Sequence, residues 1–427
     1  SNLIICITVY NNPRRIVIQL STPILIPVTS MASYGLTGQD QIGDGNDRFY
    51  YLSQVTLNSS DRNVNWGTQL NYNPGGIIVD RYANDEIGWE KSYKLNVGAE
   101  MRTVFGLSAN VEYFTERREN ILLNRIIPNT MGIIPDVKAN LGKAKGKGVD
   151  MELNYEKSFN KDLWITGRGT FTYATSEAVE WEEPDYSETP WLSKVGKSLG
   201  QTWGYIAERL FVDEEEVKNS PTQFGEYMAG DIKYRDVNGD GKISELDKVP
   251  IGYPTTPEIN YGFGLSVGYK GLDASFFFQG SGRQSFWLDL KKITPFLDGD
   301  AGENGEDGLL GQNAVLDVIA NSYWSENNRN PYAFWPRLAN QSVENNNQTS
   351  TWFMQDATFL RLKSVEIGYT VPKNLVKKFK VQNLRFYVSG TNLLCWSKFK
   401  LWDPEMAGNG LGYPVQRVIN VGLNLGF

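Results

Sequence analysis

The main pattern in this sequence is an alternation of large apolar residues with small polar ones, at a period of two. Between residues 259 and 269 every odd position is Ile, Tyr, Phe, Leu or Val, whereas every even position is Asn, Gly or Ser. Successive side chains of a β-strand point to opposite faces of a sheet, so this period is typical of a strand with one apolar face. From about residue 32 onward the sequence therefore predicts β structure.

The same alternation recurs along the chain and predicts roughly ten or eleven strands. It is clear at residues 95–101, 105–113, 149–155, 365–371 and 419–427, and weaker at residues 164–173, 272–278 and 384–388. Short turns such as Lys270-Gly271 join several of these runs, as they do in antiparallel hairpins. We expect an all-β chain folded as a long antiparallel meander.

Two architectures fit this meander, and they differ in what covers the apolar face. A soluble β-sandwich buries that face against a second sheet, whereas a transmembrane β-barrel turns it toward lipid. The polar faces are rich in Gly, Ser and Asn, aromatic residues lie near strand ends, and the connections range from tight turns to a long insertion at residues 282–350. The chain also ends in an alternating strand. Together these features favour the barrel.

Composition narrows the possible chemistry. The 427 residues include no His, which excludes Ser-His-Asp and Cys-His nucleophiles and His-bearing zinc sites.

The formal net charge of −7, without a basic block, argues against nucleic acid as a partner. Cys6 and Cys395 are too few for a disulfide framework, and no run of about 18 apolar residues predicts a spanning helix. No carboxylate pair can be assigned to a cleft, so an enzyme has little support.

Several segments of the chain carry a family resemblance. They are residues 32–38 (ASYGLTG), 87–91 (IGWEK), 230–241 (GDIKYRDVNGDG), 359–372 (FLRLKSVEIGYTVP), 384–394 (LRFYVSGTNLL) and the final strand. In these segments the chain resembles the C-terminal half of the SusC/RagA family, the TonB-dependent outer-membrane transporters of Bacteroidota. The resemblance covers about residues 31–427 in continuous order, whereas residues 1–30 stay unassigned.

The resemblance implies a more definite architecture than the alternation does. Members of the family form a barrel of about 22 strands around an N-terminal plug, the size class of plugged transporters. This chain would then be the C-terminal half of the barrel, with long extracellular loops, in the bacterial outer membrane. The N-terminal half and the plug would come from elsewhere, because two unpaired strand edges in lipid are costly.

The resemblance also implies a function. Family members take up nutrient oligomers with energy from the TonB complex and with a SusD-like surface lipoprotein that closes the barrel mouth. Oligosaccharides are the first expected substrate class and peptides the second, and no bond in the substrate is broken. The alternative is a secreted, calcium-binding β-sandwich with a binding or structural role.

Two insertions are expected, a calcium-loop insertion at about residues 213–257 and a long loop at about 283–350, and the second is expected to build the barrel mouth. Within the second, residues 298–312 and 323–338 are the candidate substrate loops. Aromatic faces stack on sugar rings and polar groups donate to them, so the candidate substrate-binding residues are Tyr323, Trp324, Arg329, Tyr332 and Trp335. Alternatively, these aromatic residues pack the loop or lie at the membrane interface.

The sharpest chemical motif is the twelve-residue segment 236–247, DVNGDGKISELD. Its spacing is that of an EF-hand calcium loop, with a glycine, Gly241, at position 6. Position 12 is Asp where the EF-hand has Glu. The candidate calcium ligands are Asp236, Asn238, Asp240, the Lys242 carbonyl, Ser244 and Asp247. The alternative is a solvated turn of Asx and glycine residues.

Phe427 ends the last alternating run. A terminal aromatic residue on such a strand is the signal that barrel-assembly machinery is expected to read. The alternative is an ordinary lipid-facing side chain, worth about 1.5–3 kcal/mol of burial.

Overall fold

The computed structural model describes residues 14–20, 28–39, 49–133, 137–296, 313–376 and 381–426. Within these residues the chain forms nineteen strands and four short α-helices, besides short 3-10 turns. The strands are β1 (Arg14–Leu20), β2 (Val28–Gln39), β3 (Gln54–Ser59), β4 (Gly76–Arg81), β5 (Glu90–Arg102), β6 (Leu107–Asn124), β7 (Lys138–Ser158), β8 (Leu163–Glu180), β9 (Thr202–Gly204), β10 (Ala207–Leu210), β11 (Ile232–Tyr234), β12 (Val249–Ile251), β13 (Ile259–Tyr269), β14 (Leu272–Gly282), β15 (Ser285–Trp287), β16 (Met354–Asp356), β17 (Phe359–Thr370), β18 (Asn383–Ser397) and β19 (Val418–Gly426). The helices are α1 (Glu214–Lys218), α2 (Leu290–Ile293), α3 (Asp317–Asn321) and α4 (Lys373–Val376).

Eleven of the described strands form one sheet, in the order β1-β2-β5-β6-β7-β8-β13-β14-β17-β18-β19. Every neighbouring pair in this order is antiparallel. The strand order follows the chain, and the shorter strands between them pair within the connections. The predicted meander and its strand number are therefore confirmed.

The segment left unassigned by the sequence contributes to this sheet. Strand β1 pairs with β2 over seven residues, from Arg14 opposite Tyr34 to Leu20 opposite Val28. The predicted boundary at residue 31 thus falls inside β2, because the start of that strand lacks a clear alternation.

The sheet has one apolar and one polar face. The apolar face, called the outer face here, carries large side chains that remain exposed, such as Leu153 (51%), Phe263 (44%) and Val421 (82%). No second sheet covers this face in the described part of the chain. The opposite, inner face carries polar and charged residues such as Lys94, Asn96 and Glu112. A sandwich would bury its apolar face, so this distribution corresponds to a lipid-facing wall.

The connections differ between the two ends of the strands. At one end Thr103–Gly106, residues 159–162 and Lys270-Gly271 are short turns between consecutive strands, and residues 371–382 form a longer connection between β17 and β18. At Lys270 and Gly271 the φ angles are +49° and +87°, which suits a type I′ hairpin turn. At the other end the connections span residues 40–89, 125–137, 181–258, 283–358 and 398–417. Long loops mark the extracellular end of such barrels.

Three of the long connections pack together above the sheet. They follow β8, β14 and β18, and their buried apolar residues form one cluster, called the loop core here. Its members include Tyr205, Leu210, Ile232, Tyr234, Ile243, Phe286, Leu288, Ile293, Ile319, Trp324, Trp335, Phe353 and Phe399. The long connections are therefore a folded layer with its own hydrophobic core.

The α-helices of the described residues lie in the connections and are four or five residues long. None of them is long and apolar enough to span a membrane.

Candidate functional site

The predicted calcium loop lies between β11 and β12, within the connection that follows β8. Its first carboxylate, Asp236, accepts hydrogen bonds from the N–H groups of Gly239 and Gly241, both at 2.7 Å. Its last, Asp247, accepts bonds from Val237 N–H at 2.8 Å and Ser244 N–H at 2.7 Å. Both ends of the motif thus fold the loop back on itself.

The middle of the motif continues this pattern. The Asn238 side-chain oxygen accepts a bond from Asp240 N–H at 3.0 Å, and the Asp240 carboxylate accepts one from Lys242 N–H at 2.8 Å. The Asn238 amide donates to Asp240 at 3.0 Å. In the described residues, no three Asp, Glu or Cys side chains are grouped closely enough to hold a metal ion. The carboxylates of this motif, Asp236, Asp240 and Asp247, accept hydrogen bonds from backbone N–H groups of the same segment.

The predicted calcium loop is attached to the loop core by neighbouring residues. Ile243, within the loop, is buried in the core and its N–H donates to Thr222 C=O at 2.8 Å. The Tyr205 hydroxyl donates to Glu245 at 3.2 Å. Burial, followed by the negative charge of Glu245, raises the pKa of Tyr205 above its usual range. This tyrosine stays neutral and keeps its hydrogen bond at all physiological pH values.

The predicted substrate loop divides into buried and exposed residues. Trp324 and Trp335 are only 4% and 6% exposed and belong to the loop core. Their backbones pair, with Trp324 N–H donating to Trp335 C=O at 3.1 Å. Tyr323 packs against the same core. Little of either tryptophan side chain reaches solvent, which favours the packing alternative, and a binding role for these two residues stays a prediction.

The other two candidates of this loop reach solvent. Tyr332 is 69% exposed, and Arg329 pairs with Glu326 at 2.7 Å on the surface. They therefore remain available to a ligand. The companion loop, residues 298–312, and the proposed assembly residue Phe427 lie outside the described residues.

A buried polar network, which the sequence does not indicate, ties the loop core together. Asp231 is fully buried, 2.9 Å from Arg337, and accepts a bond from the Asn346 amide at 2.8 Å. Burial raises the pKa of Asp231, although the nearby Arg337 opposes that shift. Asn345, also fully buried, donates to Ile232 C=O. These partners lie more than a hundred residues apart in the chain, so no local sequence pattern predicts their contacts.

A second ion-pair group joins the sheet to the connection after β18. Arg361, near the start of β17, is 2% exposed and pairs with Asp403 at 2.6 Å and Glu405 at 2.7 Å. Burying an arginine is costly unless its charge is paired, and here two carboxylates pair with the same guanidinium. These ion pairs attach the loop-bearing end of the sheet to the connection after β18, which contributes to the loop core.

The inner face supplies a further set of polar groups that faces the lumen. Glu112 accepts bonds from the Asn96 and Asn110 amides, both at 3.0 Å. Arg385 bridges Asp273 and Glu366 across three strands near the short-turn end. The wall therefore offers charged and amide groups to whatever fills the lumen, and no aligned catalytic group stands out among them.

No family model matches the chain, but curated proteins do. It is 28% identical over 427 residues to TonB-dependent receptor P26 of Formosa agariphila, covering 93% of this chain and 39% of that protein. It is 25% identical over 423 residues to TonB-dependent receptor P3 of the same organism, with the same coverage. It is 22% identical over 414 residues to TonB-dependent receptor SusC of Bacteroides thetaiotaomicron, covering 92% of this chain and 37% of that protein.

Solved structures agree on the fold. The structure of the RagAB peptide transporter superimposes with a TM-score of 0.67 at 22% identity, covering 97% of this chain and 43% of that one. The chain thus spans about two fifths of the length of the relatives it matches. The predicted resemblance to SusC/RagA-type TonB-dependent transporters is confirmed. So are the fold, half of a transmembrane β-barrel, and the location in the bacterial outer membrane.

Proposed function

We propose that this chain is the C-terminal wall and extracellular rim of a transporter that imports nutrient oligomers across the outer membrane. The observation that carries this proposal is the combination of a lipid-type outer face, a polar inner face and long connections gathered at one end. A wall of this kind encloses an aqueous path. Its homologues are receptors and transporters, which accords with a protein that breaks no substrate bond.

Energy for import would come from the TonB complex, which acts on a plug inside the barrel. The sheet ends at β1 and β19 in the described residues, and an unpaired strand edge in lipid costs several kcal/mol per unsatisfied group. We infer that strands of the N-terminal half pair with these two edges. The charged groups of the inner face would then contact the plug.

A SusD-like lipoprotein would cover the loop-bearing end. The loop core supports this part of the proposal, because a lid needs a rigid seat and this rim has a packed interior with buried ion pairs. The exposed Tyr332 and Arg329 would contact the substrate beneath the lid. An exposed aromatic ring and an arginine on the same loop suit an oligosaccharide first and a peptide second.

The proposal is tested by uptake of a labelled oligosaccharide in cells that carry or lack the complete receptor. Uptake should disappear on deletion of the receptor and on collapse of the proton gradient, whereas surface binding should survive that collapse. A peptide library of matched size distinguishes the second substrate class. Uptake that continues without the proton gradient would contradict TonB dependence and indicate a passive pore.

We also propose that segment 236–247 binds calcium as a structural ion. The ligands would be Asp236, Asn238, Asp240, the Lys242 carbonyl, Ser244 and Asp247, a set of oxygen donors of the kind calcium prefers. The fit is supported by Asp247, whose fully buried carboxylate accepts N–H bonds and forms no ion pair with a described residue. A bound cation would neutralise that buried charge and brace the connection.

A further inference from the structure

A concave pocket opens at the extracellular end of β7 and β8, beside residues 196–201 and 252–258. Its volume is about 340 Å³, within the range of small-ligand sites. Its charged lining consists of Lys145, Lys147, Lys197, Arg283, Glu177 and Glu258. We call it the rim pocket.

The rim pocket lies on the outer face. Lys145 and Lys147 alternate in β7 with inner-face residues, so they share a face with the exposed Met151 and Leu153. Across the pair, Lys147 lies opposite Thr175 of β8, on the side that also carries the exposed Phe171. The pocket therefore borders the lipid rather than the lumen.

Its height along the wall can be estimated from β7. Lys147 and Lys157 are the nearest outer-face charges above and below a run of four uncharged residues, Val149, Met151, Leu153 and Tyr155. About ten residues separate the two lysines, and a strand rising ~3.3 Å per residue at a tilt of ~40° climbs ~25 Å over that distance. The apolar band of an outer-membrane barrel is also about 25 Å tall. Lys147 is thus placed at the outer boundary of the membrane and Lys157 at the inner one.

The cations of the pocket exceed its anions. Lys145 pairs with Glu177 at 2.9 Å and Arg283 with Glu258 at 2.6 Å. Lys147 and Lys197 have no carboxylate partner within the described ranges. Two positive charges therefore remain to be neutralised in a concave site.

Aromatic residues hold the arginine of the pocket in place. The Arg283 guanidinium lies 6.0 Å from the ring centre of Tyr173 and 5.5 Å from that of Tyr253. Cation–π contacts of this kind fix the side chain without using its outward donors. Arg283 is therefore oriented for a second anion besides Glu258.

We propose that the rim pocket binds the phosphorylated headgroup of an outer-leaflet lipid. A phosphate group would supply negative charge, and its oxygens would accept hydrogen bonds from Lys147, Lys197 and Arg283. The acyl chains of the same molecule would lie along the apolar residues of β7 and β8 directly below. Basic residues at a membrane boundary attract anionic headgroups with about 1 kcal/mol each, and the concavity gives the contact a defined shape.

The test uses the complete receptor in detergent with a monophosphorylated lipid A, observed by native mass spectrometry. The double variant Lys147→Gln/Lys197→Gln should bind this lipid roughly 10- to 30-fold more weakly than the wild type. The matched control is Lys157→Gln, on the same face of the same strand at the opposite boundary, and it should bind as the wild type does. Far-UV circular dichroism and heat-modifiability on gels establish that both variants are folded.

Two further measurements separate the lipid from other sources of the same chemistry. Lipid A with its phosphate removed should bind the wild type only weakly. Its affinity should be no higher than the affinity of phosphorylated lipid A for the double variant. Inorganic phosphate at equal concentration should not displace the lipid. Equal binding of the phosphorylated lipid to wild type and double variant, equal binding of the dephosphorylated lipid, or full displacement by inorganic phosphate would each overturn the proposal.

Discussion

Arg361 and Asp403 lie 2.6 Å apart, guanidinium nitrogen to carboxylate oxygen, and join the wall to the connection between β18 and β19. Arg361 is 2% exposed, and Glu405 is its second partner at 2.7 Å. The ring of Phe359 lies 5.5 Å below the guanidinium. This contact attaches the connection after β18 to the sheet.

Replacing Arg361 with Met should therefore loosen the rim. Removing one partner of a buried ion pair leaves the other charges unpaired and typically costs about 3–5 kcal/mol. The control is Lys398→Met, because Lys398 pairs with Asp356 at 3.5 Å on an exposed surface and such pairs contribute about 0–1 kcal/mol. Limited proteolysis of residues 398–417 in the folded receptor provides the measurement, and equal cleavage of the two variants would contradict this role.

Removing calcium should release the segment around residues 236–247. Without a cation, Asp236, Asp240 and Asp247 repel one another, so EGTA or the variant Asp236→Ala/Asp240→Ala should increase proteolysis between residues 213 and 257. The wall strands should stay protected. Asp185→Ala, in the same connection but outside the motif, is the control. If metal analysis finds no calcium and EGTA leaves cleavage unchanged, the segment is a plain turn.

Tyr332 and Trp335 should respond differently to truncation. Tyr332→Ala should weaken binding of an oligosaccharide several-fold without changing the melting temperature, because the ring is exposed. Trp335→Ala should lower the stability of the loop core by about 3–5 kcal/mol, since it removes a buried ring. Calorimetric titration and thermal unfolding separate the two effects. Loss of oligosaccharide binding in Trp335→Ala without any loss of stability would reverse the assignment.

The connection after β8 should loosen at acid pH through Glu216. Burial raises the pKa of this carboxyl, but the Val212 N–H bond and the charges of Lys233 and Arg209 outweigh burial and lower the pKa overall. A lowered pKa in the folded state stabilises the fold above the unfolded value of about 4.3, and that contribution disappears as pH falls through the folded-state value. Glu216→Gln should remove this part of the pH dependence.

Proteolysis of residues 205–234 between pH 7 and pH 3 checks this behaviour. The wild type should become more sensitive below about pH 4.3, whereas Glu216→Gln should be more sensitive than wild type at pH 7 and change less on acidification. Glu226→Gln, in the same connection, serves as the control. Identical profiles for wild type and Glu216→Gln would show that other groups govern the acid response.

The eleven-stranded sheet can be predicted from the sequence because the alternation of apolar and polar residues is a local pattern. Ile259–Tyr269 is a strand with the bounds that the alternation predicts, since each side chain of that run reports the face on which it lies. The register shift between Leu362 and Ser364 is not readable in this way. A bulge adds one residue to one strand only, and a single sequence does not show which partner accommodates it.

The loop core is much harder to predict from the sequence. Trp324 and Trp335 look like exposed ligand aromatics in a polar, Asn-rich segment, yet they are buried in a cluster that residues of two other connections also join. Asn345 likewise acquires its role from Ile232, 113 positions earlier. Patterns of periodicity describe neighbours within one element, and these contacts depend on segments that meet only in the folded protein.

The loop core also sets an order of events in folding. Strand pairs such as β13 and β14 meet across a two-residue turn, so their contacts close small loops and form early. The loop core contains residues as distant in the chain as Tyr205 and Phe399. Closing such a long loop is slow, because the chain loses conformational entropy before the stabilising contacts form. The loop core therefore forms after these hairpins, and a substitution in its interior should leave the hairpins of the sheet intact while the mouth stays unfolded.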